Sequence, residues 1–149
     1  MDDPTIVAIF DNANTMDIET GKLAAQRGQS TEVRQFGAML ARDHEMVRQQ
    51  GRDLAKKLSV TPTPPSGDQS VQRQAALVRR LEGLKGSEFD RVFLQHEADF
   101  HRDVIAAVKT TLLPAIKNEE LKALVVKITP AFQAHLEIAQ NLGKRLAAK

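Results

Sequence analysis

Five ionisable side chains interrupt stripes that are otherwise apolar, and their types and spacing are those of a buried reactive centre. Asp17 lies seven residues after Phe10 and seven before Ala24. His44 follows Leu40 by four residues and precedes Val47 by three. His101 stands seven after Leu94, just ahead of Val104 and Ile105, and His135 stands seven after Ile128 and seven before Leu142. Glu97 is at helical spacing from Phe93, Phe100 and His101. Offsets of three, four and seven keep side chains on one helical face, so each of these groups points inward with its apolar neighbours. Glu19, about 200° further round the helix than Asp17, is expected to face solvent.

Burying several ionisable groups together is costly unless they pair or bind a cation. Histidine with a carboxylate suits zinc first, and also iron, copper or manganese. Asp17, His44, His101 and His135 are therefore the candidate metal ligands, with Glu97 a fifth. The competing reading of the same residues is an Asp–His cluster that is internally hydrogen-bonded and fixes helix register. Glu97 and His101 form an i,i+4 pair, which either ligates or makes a helix salt bridge. Asp43, on the flank of its stripe, either orients an imidazole or makes a surface pair. His96, at the boundary of its stripe, is expected to be exposed.

Other chemistries find no support. With no Cys there is no disulfide, thiolate zinc site, iron–sulfur cluster or cysteine nucleophile. Absent Trp and Tyr leave six Phe as the only aromatics, which argues against base-stacking platforms. A net charge of +2 is too small to argue for nucleic acid, despite a pI near 9.0. No Gly-rich phosphate loop or Ser, Thr or Lys nucleophile motif occurs. No apolar run has membrane-spanning length, and the start Met-Asp-Asp-Pro lacks the features of a signal peptide.

The elements that must position these groups are helices. A length of 149 residues with 42% hydrophobic and 27% charged residues is that of one soluble globular domain. Breakers cluster between Val60 and Gly67 and are sparse elsewhere, and periodicity is helical throughout. The expected helices span about 4–27, 31–58, 87–112 and 118–147, with a short one at about 70–82. Ser30 or Thr31 restarts the chain after Gly28, and Asn118 caps the last helix. Ser87 with Asp90 resembles a capping box opening the third long helix, which Pro114 is expected to stop. Pro130 should kink its helix rather than end it. Connections that are short, long and short predict an all-α, ferritin-like four-helix bundle, with a long crossover between its second and third main helices carrying the short extra helix.

Counting from the two tight turns, Asp17 and His44 differ in height by about 5 Å, and His101 and His135 by about 7 Å. Both pairs can thus converge at mid-bundle.

Four ordered motifs carry a family resemblance. Asp17-Ile-Glu-Thr-Gly-Lys-Leu-Ala24 resembles "E-I-x-x-G-x-L-A", and Val33 to His44 resembles "V-x-x-F-A-x-x-M-x-x-D-H". Phe89-Asp90-Arg91 followed by His101 resembles "F-D-x-x-Y…H", and Pro130 with His135-Leu136 resembles "L-P-x-x-x-x-H-L". Together they are similar to the DUF4142 family of ferritin-like, exported bacterial proteins. The family positions correspond to Asp17, Asp43, His44, His101 and His135. Two departures stand out: Asp17 replaces the usual Glu, and Phe100 stands where an acid often precedes the third-helix His. No Glu-x-x-His occurs, so di-iron ferroxidase or storage activity is not expected. The resemblance implies a mature periplasmic chain whose leader has been removed.

The leading expectation is a periplasmic protein that sequesters or senses a transition metal, in a stress response, with a metal ion as partner and a homodimer as a further arrangement. The alternatives are a metal-dependent oxidoreductase or peroxide-handling enzyme, a structural or interaction module without metal, and a bis-His haem protein.

Overall fold

The structure, a computed structural model, describes residues 1–148. Helix α1 spans Asp3–Arg27, α2 Thr31–Lys57, α3 Ser70–Glu82 and α4 Gly86–Ala107. A π-helical turn, Val108–Leu112, carries α4 into a last short turn, α5 (Leu113–Ala115), and α6 spans Glu119–Ala147. Side chains start three of these helices: Asp2 accepts from the Thr5 N–H at 3.0 Å, Ser30 from Val33 at 3.1 Å and Asn118 from Leu121 at 3.0 Å. Each satisfies a donor that has no partner within its own helix. None of the described helices is long and apolar enough to cross a membrane.

Helices α1 and α2 form one tight hairpin, α4 and α6 the other. The first is close because Gly21 and Gly37 face each other. A Cβ on Gly21 would lie 2.7 Å from the Gly37 carbonyl oxygen, and one on Gly37 would lie 2.6 Å from that of Gly21. Between the hairpins the chain crosses the length of the bundle. Thr63 N–H bonds the Pro4 carbonyl at 3.0 Å, Asn12 reaches Ser70 at 2.7 Å, Gln74 reaches the Met16 carbonyl at 3.2 Å, and Arg27 reaches the Glu82 carbonyl at 2.7 Å. Helix α3 therefore runs alongside α1 in the same direction and returns the chain to the α1–α2 turn, where α4 begins. This is the ferritin-like crossover expected from the loop lengths.

Two expectations about helix ends are corrected. Ser87 and Asp90 form no capping box: α4 starts at Gly86 after Lys85, without a side-chain cap. Asp90 is buried and turned to the neighbouring hairpin, where its carboxylate accepts from Gln29 N–H at 2.8 Å and Ser30 N–H at 2.9 Å. One turn into α4, it lies against unsatisfied amides at the start of α2, and these outcompete those of its own helix. Asp3 ties the other hairpin in the same way, accepting from Lys117 and Asn118 N–H, both at 2.9 Å. Nor does Pro114 stop the third main helix at Leu112. A proline has no N–H for the carbonyl four residues back, and the wide π turn absorbs that defect, so helical backbone reaches Ala115. Helix α6 continues through Pro130.

The apolar core falls into two clusters. One, with Phe36, Phe89, Phe93 and Leu81, fills the end at the α1–α2 turn and extends to Phe132 and Leu136. The other, with Ile6, Val7, Val108 and Leu121, fills the opposite end.

Candidate metal centre

Each main helix sends side chains into the layer between those clusters. Asp17 comes from α1, His44 from α2, Glu97 and His101 from α4, and His135 from α6; all are buried, with Glu97 and His101 fully enclosed. The His44 and His101 ring centroids are 5.6 Å apart, His44 and His135 5.1 Å, and His101 and His135 5.6 Å. Asp17 Oδ2 lies 3.2 Å from His44 Nε2 and 3.7 Å from His101 Nε2. Phe132 closes the layer edge-on against His44, with centroids 5.0 Å apart.

Hydrogen bonds on the far side of each ring fix which nitrogen faces inward. Asn14 donates its amide to the Phe10 carbonyl at 2.9 Å, so its Oδ1 must accept from His44 Nδ1–H at 2.8 Å. His101 Nδ1–H donates to the Glu97 carbonyl at 2.8 Å, and His135 Nε2–H donates to Asp43 Oδ2 at 2.9 Å. The lone pairs of His44 Nε2, His101 Nε2 and His135 Nδ1 are left pointing into the layer. Thr20 donates to Glu97 Oε1 at 2.8 Å, which leaves Oε2 free.

The buried side-chain atoms without a hydrogen-bond partner, among the described residues, all belong to this cluster: both Asp17 oxygens, Glu97 Oε2, His44 Nε2, His101 Nε2 and His135 Nδ1. Buried polar atoms are ordinarily paired. Donor atoms of His44, His101 and His135 lie within 4.8 Å of one another, as do those of Asp17, Glu97 and His101, and either triad could hold a metal ion.

Burial dominates the electrostatics. It drives His44 down to about 2, helped by His101 and His135, and His101 down to about 4 against the opposing bond to the Glu97 carbonyl. Both imidazoles are neutral at physiological pH. Burial lifts Glu97 to about 7 despite the opposing influence of neighbouring Asp17 and the hydrogen bond from Thr20. It also raises Asp17 well above the carboxylate range, with Glu97 the next cause. Two carboxyls with oxygens within 4.8 Å of each other in so dry a layer do not ionise together.

All five residues picked from the apolar stripes thus meet in one place, and Glu19 is exposed as expected. Asp43 orients His135 from a half-exposed position. His96 departs from expectation: it is half-buried, stacked on Phe100 at 5.7 Å, and burial lowers its pKa. Periodicity also missed Asn14 and Thr20. Each lies three residues from Asp17 on the same face, which was the available signal; a neutral polar side chain simply does not stand out as a charged one does.

The whole-chain comparisons agree with this architecture. The solved structure "CopM in the Cu(II)-bound form" superposes with a TM-score of 0.76 at 14% identity over 97% of each chain, a likeness of fold. No curated protein matches the sequence. The family model described as "Domain of unknown function (DUF4142)" matches residues 1–142, spanning every motif and every residue of the buried cluster. The chain belongs to the DUF4142 family.

Proposed function

We propose that this chain binds one transition-metal ion through His44 Nε2, His101 Nε2, His135 Nδ1 and Asp17, with Glu97 beside them as a fifth ligand or as the partner that holds Asp17. The observation that carries the reading is the gathering of unpartnered buried atoms in one layer, as two triads that share His101, each imidazole locked in the tautomer that presents a lone pair. The separations of 3.2 and 3.7 Å from Asp17 Oδ2 resemble the roughly 3.3 Å edges of a tetrahedron with bonds near 2 Å. An internally paired register device is less well supported, because pairing would leave no such atoms.

The donor set suits zinc(II) and copper(II), copper binding tighter in the usual order. The Cu(II)-bound structure of similar fold supports testing copper beside zinc. A bound ion would supply the positive charge that lets Asp17 and Glu97 ionise without water. The protein's own groups do the rest. Asp43, Asn14 and the Glu97 carbonyl hold the rings, Thr20 holds Glu97, and Phe132 keeps the layer dry. Binding would release the proton that burial keeps on the carboxyls of Asp17 and Glu97, whereas the imidazoles, already neutral, have none to lose. The family's association with exported bacterial proteins supports a periplasmic setting and a role in metal sequestration under stress.

The test is elemental analysis of chelator-stripped protein after loading with zinc(II) or copper(II), beside His101→Ala. About one equivalent that raises the melting temperature of the wild type, and is lost in the variant, is expected. Failure of the wild type to retain either ion, or iron or manganese, overturns the proposal.

A further inference from the structure

A second feature adjoins this layer and is of opposite character. Between α1, α4 with its π turn, and α6 lies a cavity of about 70 Å³, walled by Ile6, Ala13, Val108, Leu112, Val125 and Ile128. Its inner wall is Asn14 and Phe132, the two residues packed against His44. On its outer side Ala107 is exposed and Ile9 half-buried, which places a mouth beside the π turn.

Two lining residues are polar, and neither offers its polar atoms to the cavity. Thr129 Oγ1 donates to the Val125 carbonyl at 2.7 Å, and the Asn14 amide is engaged by Phe10 and His44. A water needs two to four polar partners, so a space of this kind is suited to apolar guests. Its volume admits only a small one. The π turn supplies Val108 and Leu112 to the wall, and π turns inside α-helices frequently accompany functional sites.

We propose that this cavity is a binding site for a small uncharged apolar molecule of the size of dioxygen, held one side chain away from His44. The site goes beyond the metal reading and does not depend on it, since its walls are complete without an ion.

The probe is dissolved dioxygen itself, whose paramagnetism enhances relaxation of nearby methyl protons, read by NMR on the metal-free protein under oxygen pressure. The methyls of Val108, Val125 and Ile128 are expected to relax several-fold more than those of Val71 and Val126, which are exposed and report random collision. Xenon should shift the same buried methyls saturably. Ala13→Leu, which fills the cavity, and Ala107→Phe, which covers its mouth from an exposed position and leaves the core intact, should each abolish the excess. Buried methyls that respond no more than Val71 and Val126, or a response undiminished in the folded Ala107→Phe protein, overturn the proposal.

Discussion

At the α1–α2 turn, Phe89 and Phe93 stack with centroids 6.2 Å apart and Phe36 meets Phe93 edge-on at 6.1 Å. Half a helix further along, the same four helices turn Asp17, His44, Glu97, His101 and His135 toward one another. Both regions are equally buried, yet they do different work. The aromatic end removes apolar surface from water and is self-sufficient. The polar layer desolvates five ionisable groups and leaves several of their atoms unmatched, so it cannot be there for stability. Placing the layer between two apolar clusters lets the ends carry the fold while the middle keeps donors poised.

That division predicts separable effects. Phe89→Ala should cost about 3–5 kcal/mol in thermal or denaturant unfolding, the range for deleting a buried aromatic, while the folded variant keeps its metal affinity. Loss of both together would show that the two regions are one cooperative device.

Asp43→Asn should leave unfolding nearly unchanged and weaken metal affinity by about 10–100-fold, as for other residues that orient a ligating imidazole, measured by competition with a chelator. An unchanged affinity would mean that His135 is held by packing alone.

Acidity sharpens the contrast further. Glu97, raised to about 7 from an ordinary 4.5, holds a proton in the folded state that the unfolded chain has lost. Its contribution to stability is therefore present below 4.5 and lost as pH rises to 7. His101, lowered to about 4 from 6.5, acts oppositely, and stability is lost as pH falls through that window. The two slopes oppose each other in the metal-free protein. Glu97→Gln removes one, so the melting temperature of the metal-free variant should fall more steeply than that of the wild type between pH 6.5 and 4.5. The wild type should itself release metal below pH 7, as the proton returns to the carboxyl pair.

The smallest effect belongs to the surface. Arg52 and Asp11 pair at 2.6 Å at the surface, partly open to water, and Arg52→Ala should cost under about 1 kcal/mol in chemical denaturation without touching metal binding.

The succession of helices, the crossover and the inward direction of Asp17, His44, Glu97, His101 and His135 were legible in the chain, because each follows from a repeat of 3.6 residues and from where Pro and Gly fall; the two ends of the third main helix were not. Height along the bundle was legible too, since a tight turn sets the register of the two helices it joins. What could not be read is every property that depends on the neighbouring helix. Asp90 looked like a cap for its own helix and serves another; His96 looked exposed and lies on Phe100; Asn14 and Thr20 passed unnoticed until His44 and Glu97 stood opposite them. The tautomer of each ring, the raised pKa of Asp17 and of Glu97, and the cavity behind Phe132 likewise exist only between helices. Periodicity is a property of one helix and is written along it; a hydrogen-bond partner is chosen by the azimuth and height of two helices together, and only packing determines those.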